Sequence, residues 1–149
     1  MVRAMKPGDE PLIVALGKRI AEESEYFSNH TIDHSKWYDT CYRALVLDDY
    51  QAYVNEEDGV INGLWAGMIA PVWFAEDYKV VDIVFYVDKQ KRGSTIAFHL
   101  LNAAEHWAKS KGVKSLTIGL SSGIDTERTV CFLNRIGYNN SVVVMEKEL

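Results

Sequence analysis

An apolar strand that runs straight into a basic turn and then into a long amphipathic helix constrains the fold more than any other feature of this chain. The strand covers Val80–Val87, and the turn covers residues 88–93, which include two lysines, an arginine and a glycine. From Ser94 to Lys111, apolar residues recur at helical spacing. A strand that becomes a helix through so short a turn predicts a layered α/β structure, in which the helix packs back against a sheet.

The size and charge of the chain exclude several classes of protein. Its 149 residues predict one domain, residues 1–149, with a core of its own. The formal net charge of −5 leaves no basic excess, so neither a nucleic acid nor an anionic membrane surface is an expected partner. Cys41 and Cys131 lie far apart in the sequence, which predicts neither a disulfide framework nor a zinc knuckle. The chain shows no apolar signal segment at its start, so the expected location is cytoplasmic.

The hydrophobic pattern along the whole chain predicts the order βααβββαβαβ. Asp58 and Gly59 form a hairpin signal between the second and third strands, so the middle of the chain is expected to be an antiparallel meander. Strands are expected at Val2–Met5, Gln51–Asn55, Val60–Ile69, Val80–Val87, Ser115–Leu120 and Ser141–Glu148, and helices after Asp9, after Asp33, over Ser94–Lys111 and over Thr126–Ile136.

The basic turn has the physical character of an anion site. Backbone N–H groups without partners collect at the positive end of the helix that follows, and Gly93 allows a ligand to approach the backbone closely. Lys89, Lys91 and Arg92 would add charge-assisted contacts, in a protein that is otherwise acidic. The site is therefore expected to bind a phosphate group; the alternative is an ordinary solvated turn.

Two segments carry a resemblance to a known family. Arg92–Ala97 resembles the Arg/Gln-x-x-Gly-x-Gly/Ala pyrophosphate turn of the GNAT superfamily of acyl-CoA-dependent N-acyltransferases. Thr126–Tyr138 is similar to the helix of that family that ends in Phe-Tyr-x-x-Leu-Gly-Phe. The resemblance extends over nearly the whole chain in element order, and it is closest to small single-domain members of the kind found in phages and bacteria.

The resemblance implies a mixed α/β (α+β) fold, with a mainly antiparallel central sheet of about six or seven strands and about four flanking helices. It also implies an N-acetyltransferase that transfers the acetyl group of acetyl-CoA to a primary amine of a small molecule or a protein by direct attack. Acetyl-CoA would be a co-substrate, no metal would be needed, and a homodimer is an open alternative. The residues that would bind the cofactor are Phe85, Tyr86, Val87, Arg92, Gly93, Ser94, Thr95, Ile96, Ala97 and Thr126.

The chain departs from the family pattern at three positions. Thr95 stands where the turn has its central glycine, and Thr126 stands where many members have an asparagine that contacts CoA. Leu133 stands where many members have a tyrosine that protonates the leaving thiolate. Tyr86 and Tyr138 could replace that acid, although both also fit core positions. The second candidate function is therefore a catalytically weak or inactive acyl-CoA-binding module that acts as a sensor or interaction protein.

Asp82, on the strand that leads into the turn, is the first candidate for the general base that removes a proton from the amine. A structural hydrogen-bonding role for Asp82 is the alternative. Glu22 and Glu23 are candidates for binding a cationic acceptor, or else a solvated helix end, and Cys131 is expected to be a buried apolar thiol. Six aromatic residues could form the wall of an acceptor pocket or belong to the core: Tyr26, Phe27, Trp37, Tyr38, Trp65 and Trp73.

Overall fold

A computed structural model describes residues 1–149 and shows a single five-stranded sheet between two layers of helices. The strands are β1 (Val2–Ala4), β2 (Tyr50–Glu57), β3 (Val60–Pro71), β4 (Tyr78–Val87) and β5 (Leu116–Thr117). The helices are α1 (Glu10–Glu23), α2 (Glu25–Ser28), α3 (His34–Val46), α4 (Ile96–Ser110) and α5 (Thr126–Arg135), and a 3₁₀ turn covers Lys89–Lys91. None of the helices combines the length and the apolar character that crossing a bilayer requires.

The strands lie in the order β1-β2-β3-β4-β5, so the sheet follows the chain. The first four strands are antiparallel neighbours, and β5 is parallel to β4. The β2–β3 hairpin turns at Asp58 and Gly59, with φ values of +52° and +76°. The connection from β4 to β5 runs through α4, because parallel neighbours need a crossover.

Alternation along β3 divides the core into two parts. Leu64 and Ala66 face the layer of α1 and α3, whereas Trp65 between them faces the layer of α4 and α5. This follows from the two-residue period of a strand, which sends neighbouring side chains to opposite faces. The basic turn lies where β4 ends and α4 begins.

The mixed, mainly antiparallel fold is confirmed, but the sheet has five strands instead of six or seven. Residues 139–149 take part in no backbone hydrogen bond, and Val142, Val143 and Val144 are between 69% and 84% exposed. The predicted strand at Ser141–Glu148 is therefore wrong. Branched side chains favour a pleated surface that they can pack on, but they do not form a strand without a paired neighbour.

Two smaller predictions also differ from the structure. The expected strand Ser115–Leu120 pairs only at Leu116–Thr117, because the chain separates from β4 beyond that point. A short fifth helix, α2, follows α1 directly, and the side chain of Ser24 accepts a hydrogen bond from the amide of Phe27 at its start. This serine cap explains a helix that hydrophobic periodicity could not reveal.

Candidate active site

The turn between β4 and α4 presents backbone N–H groups that have no partner within the protein. Its 3₁₀ segment, Lys89–Lys91, is followed by Gly93, whose φ of +87° lies in the left-handed region. The amides of Gly93, Thr95, Ala97 and Phe98 donate no hydrogen bond inside the protein. They lie at the start of a fifteen-residue helix, where the peptide dipoles add a partial positive charge. The turn is therefore built to receive an anion.

A cavity of about 430 Å³ opens beside this turn. Its walls are the turn, the carboxyl end of β4, the loop that follows β5 and one face of α5. A volume of a few hundred Å³ is typical of a small-molecule site. The residues on its wall that the sequence assigned to the cofactor are Phe85, Tyr86, Val87, Arg92, Gly93, Ser94 and Ala97.

The other three assigned residues, Thr95, Ile96 and Thr126, do not line the cavity. Thr95 is exposed, and its hydroxyl makes no hydrogen bond within the protein. Ile96 is buried in the core, where its Cγ2 would lie 2.8 Å from a Cβ placed on Gly63. Thr126 is exposed at the start of α5. Their roles in cofactor binding stay predictions from the sequence.

The cavity exists because β4 and β5 separate. Their parallel pairing ends at Val81 and Thr117, and the amide of Gly119 then donates to Asp82 Oδ1 at 2.7 Å. The register of β3 against β4 shifts by one residue beside this point, which leaves Ile83 as a bulge. The bulge and the side-chain hydrogen bond replace regular strand pairing, and the two strands diverge toward the turn.

Asp82 occupies the closed end of the diverging strands. Burial raises the pKa of its carboxyl to about 6, although the hydrogen bond from Gly119 favours the ionised form. Asp82 also lines a second, smaller cavity of about 30 Å³, together with Ile20 and Phe27. A carboxyl with this pKa is ionised at neutral pH and can accept a proton from a bound amine. Four residues line both cavities: Phe85, Tyr86, Gly119 and Ser122.

Arg92 is fully engaged within the protein. Its two terminal nitrogens donate to the carboxylate of Glu23 at 2.5 and 2.6 Å, and its Nε donates to the carbonyl of Val87 at 3.0 Å. The guanidinium also contacts Asp125 at 3.2 Å and lies over the ring of Tyr86, 5.4 Å from its centroid. The side chain is only 14% exposed. Arg92 thus connects α1, β4 and the loop before α5.

Glu23 and Tyr86 complete this cluster. The Tyr86 hydroxyl donates to Glu23 Oε2 at 2.8 Å, and the Arg92 guanidinium holds the pKa of Glu23 below its usual range. Burial, and then the contact with Glu23, raises the pKa of Tyr86. Glu23 is therefore an ion-pair partner inside the protein rather than a solvated helix end. Glu22, its neighbour, has no hydrogen bond or ion pair through its side chain.

The cations that line the large cavity fall into two groups. Arg92 and Lys91 are paired, with Glu23 and Glu57 respectively. Arg128 and Arg135, both on α5, make no hydrogen bond or ion pair through their side chains. The Nη2 atom of Arg128 lies 3.2 Å from the place that a Cβ on Gly93 would occupy. The free positive charge at this site therefore comes from α5.

These two arginines were not among the site residues predicted from the sequence, although the sequence carries a signal for them. Arg128 and Arg135 are seven residues apart, which is two turns of a helix, and Cys131 and Phe132 fall on the same face. All four line the cavity. The helical period of α5 alone was sufficient to group them.

Leu133, which stands at the family's usual acid position, is 6% exposed and belongs to the core beneath α4. Cys131 is exposed and lines the large cavity, so the expectation of a buried thiol is wrong. Tyr138, one of the two proposed substitutes, donates to Glu105 Oε1 at 3.0 Å. Burial, and then the charge of Glu105, raises the pKa of the Tyr138 hydroxyl.

Of the six aromatic candidates for an acceptor wall, Phe27 lines the small cavity beside Asp82, and the other five line neither this cavity nor the large one. Trp65 is completely buried, and Trp37 packs against Gly17, where a Cβ would meet its ring at 3.0 Å. Trp73 lies in the β3–β4 connection and is 92% exposed. Tyr26 and Tyr38 are also exposed on the surface.

Three solved structures illustrate the similarity of the fold. An aminoglycoside acetyltransferase from an uncultured soil metagenomic sample is 18% identical, with a TM-score of 0.75, and the match covers 100% of this chain and 97% of that one. A ribosomal-protein-alanine N-acetyltransferase from Brucella melitensis is 14% identical, with a TM-score of 0.73 and coverage of 100% and 99%. AAC(6')-Iy, solved with the bisubstrate analogue CoA-S-monomethyl-acetylneamine, is 18% identical, with a TM-score of 0.74 and coverage of 100% and 98%.

Among curated proteins, none matches this chain. Residues 18–138 match the model of the acetyltransferase (GNAT) family, a range that contains the turn, both cavities and α5. This match covers most of the chain and agrees with the fold of the solved structures. The chain belongs to the GNAT family of acetyltransferases.

Proposed function

We propose that this protein is an N-acetyltransferase that uses acetyl-CoA to acetylate a primary amine on a small molecule or a protein. The observation that carries the proposal is the turn at the start of α4, where four amides have no partner within the protein, beside a cavity of about 430 Å³ between diverging strands. Membership of the GNAT family makes acetyl-CoA the expected co-substrate. The structure of AAC(6')-Iy with a CoA-containing analogue supports this choice by analogy of fold.

The residues present fit a molecule such as CoA. The amides of Gly93, Thr95, Ala97 and Phe98 would hold the phosphate groups, because they have no other partner. The cavity beyond the turn has partly apolar walls, including Phe85, Leu120 and Phe132, which suit the pantetheine arm. When bound, acetyl-CoA supplies an activated thioester to an attacking amine.

The protein's own part in the reaction is to orient the two reactants and to remove a proton. The diverging ends of β4 and the loop after β5 leave space for the thioester between them. Asp82 lies at the closed end of this space and lines the small cavity, which has room for one water molecule or one amino group. We assign Asp82 the role of general base, acting directly or through one water molecule.

The acceptor is expected to be cationic before it reacts, because a primary amine is protonated at neutral pH. The acidic net charge of the protein suits such an acceptor. The aminoglycoside and ribosomal-protein acetyltransferases of similar fold act on amines of a small molecule and of a protein, which supports both classes. The cytoplasmic location, the homodimer, the single-domain organisation and the similarity to phage-type members stay predictions from the sequence.

A second candidate function is an acyl-CoA-binding module with little or no catalysis. The observation that favours it is the burial of Leu133 at the position of the family's general acid. The hydroxyls of Tyr86 and Tyr138, the proposed substitutes, are both committed to carboxylates. If the thiolate of CoA can leave without a dedicated general acid, the protein can still be an active acetyltransferase.

Calorimetric titration with acetyl-CoA and CoA tests the proposal, after native mass spectrometry has shown that neither has co-purified. Micromolar binding is the expected result, followed by release of free thiol in a screen of primary amines. Binding without turnover for any amine would favour the module. No binding at millimolar ligand would contradict both functions.

A further inference from the structure

We propose that Arg128 on α5 is the cation that pairs with the diphosphate of the cofactor, and that Arg92 is a clamp that holds the turn in place. The inference rests on the proposed function, since it names a binding residue for acetyl-CoA. It also reverses the assignment suggested by the sequence, where Arg92 occupies the first position of the pyrophosphate motif.

Arg92 is unavailable because every one of its nitrogens already has a partner. The bidentate pair with Glu23 is partly buried, with the two side chains 14% and 22% exposed. A diphosphate that withdrew the guanidinium would leave the Glu23 carboxylate with Tyr86 as its only donor. Such an uncompensated charge is strongly unfavourable away from bulk water. Arg92 therefore stays with Glu23 and fixes the turn against α1.

Arg128, in contrast to Arg92, is available to bind a ligand. It lines the cavity, it is exposed, and its guanidinium makes no ion pair or hydrogen bond. Its Nη2 atom is 3.2 Å from the place of a Cβ on Gly93, which puts the charge beside a residue whose amide has no partner. A bound diphosphate would meet backbone donors on one side and this guanidinium on the other.

The other cations near the turn are less suitable. Lys91 is paired with Glu57 on the β2–β3 side of the turn. Arg135 lies two turns beyond Arg128 on α5, about 10 Å further along the helix axis. Of the two unpaired cations that line the cavity, Arg128 is thus the one that lies beside Gly93.

The chemistry of the two groups agrees with this assignment. A guanidinium presents donors in a planar fork that matches adjacent phosphoryl oxygens, and charge-assisted hydrogen bonds are stronger than neutral ones. Residue 93 has no side chain, so a ligand oxygen can contact its amide and the Arg128 guanidinium together. A Cβ at position 93 would contact the Arg128 guanidinium at 3.2 Å.

The experiment compares wild-type protein with Arg128→Gln and with Lys109→Gln, which removes an exposed charge of the same sign from the far end of α4. Three ligands are titrated: CoA, 3′-dephospho-CoA and pantetheine, the last by ligand-detected NMR. We expect Arg128→Gln to weaken CoA and 3′-dephospho-CoA equally, by about 10- to 100-fold. Pantetheine binding should be unchanged in all three proteins, and Lys109→Gln should match wild type for every ligand.

Other outcomes would overturn the assignment in distinct ways. Loss of affinity for CoA but not for 3′-dephospho-CoA would place Arg128 at the ribose phosphate, not at the diphosphate. Wild-type affinity in Arg128→Gln would show that α5 contributes no cation. If wild-type protein binds none of the three ligands, the proposed function fails and the role of Arg128 fails with it.

Discussion

The two cavities share a wall but are built by different means. The large cavity is organised by backbone amides and by the conformation of one glycine, Gly93. The small cavity is lined mainly by apolar side chains around one carboxylate, Asp82. Affinity at the first should therefore depend on the shape of the main chain, whereas reactivity at the second should depend on a single ionisable group. Substitutions at Gly93 and Asp82 can therefore separate the effect on affinity from the effect on turnover.

The largest expected effect is a loss of turnover in the variant Asp82→Asn. It is measured with an amine identified by the thiol-release screen. Loss of a general base lowers the rate by about 10² to 10⁴-fold. Because burial raises the pKa of Asp82 to about 6, wild-type kcat should increase as the pH rises through 6 and level off above it. The variant should show no such increase, so the ratio of the two rates should be greatest above pH 6.

The same variant provides its own control through CoA affinity. Asp82 does not line the large cavity, so the dissociation constant for CoA should change by less than about threefold. An equal loss of affinity and turnover would mean that Asp82 only supports the strand separation through its hydrogen bond with Gly119. A pH profile parallel to that of wild type would place the base elsewhere.

Gly93→Val tests the large cavity and should lower CoA affinity by about 100-fold or more, which a titration measures directly. A branched side chain disfavours the φ of +87°, and its Cβ would lie 3.2 Å from Arg128. Both effects would prevent the amide of residue 93 from donating a hydrogen bond to the bound cofactor. Turnover at saturating cofactor should decline much less than affinity.

Gly112→Val is the matched control for backbone strain. Gly112 has a φ of +72° after the end of α4, and a Cβ there meets nothing within 4 Å. Its thermal stability should fall as much as that of Gly93→Val, while CoA affinity stays at the wild-type value. Equal loss of affinity in both variants would attribute the effect to general destabilisation instead of to the turn.

Comparison with the sequence shows which kinds of feature are visible without a structure. The strand–turn–helix unit and the β2–β3 hairpin were predicted because their signals are local: apolar periodicity, Asp58-Gly59 and Gly93. The pairing of Arg92 with Glu23 joins residues 69 positions apart, so no spacing could reveal it. Motif position suggested a ligand contact for Arg92, but the geometry gave that arginine an internal partner.

The orientation of α5 illustrates a second limit. Residues 126–136 were predicted to be helical, and the helix ends at Arg135. Which of its faces lines the cavity depends on how the helix packs against the core, and this packing places Leu133 in the core and Cys131 in the cavity. The raised pKa of Asp82 likewise depends on tertiary packing, because it arises from burial of the carboxyl between β4 and the loop after β5.

Arg92→Gln tests the clamp and should destabilise the protein by about 2 to 3 kcal/mol, measured from the urea midpoint. The loss comes from the Glu23 carboxylate, which keeps only the hydroxyl of Tyr86 as a donor. Lys91→Gln is the control in the same turn. Its pair with Glu57 is exposed to solvent, so the urea midpoint should not move. Equal midpoints for both variants would contradict the structural role of Arg92.

The smallest effect on stability is expected for Ser24→Ala. Ser24 lies between α1 and α2 and contacts Ser122, which lines both cavities. The Ser24 hydroxyl donates to the carbonyl of Ser122 at 2.6 Å and accepts from the amide of Phe27 at 3.2 Å. Its removal should lower the free energy of unfolding by about 1 kcal/mol, since the residue is buried and caps α2. Ser122 lines both cavities, so amine KM and CoA affinity should each change by less than about threefold. A larger change in KM alone would mean that the small cavity depends on its backbone frame as well as on Asp82, and the contrast between the two cavities would weaken.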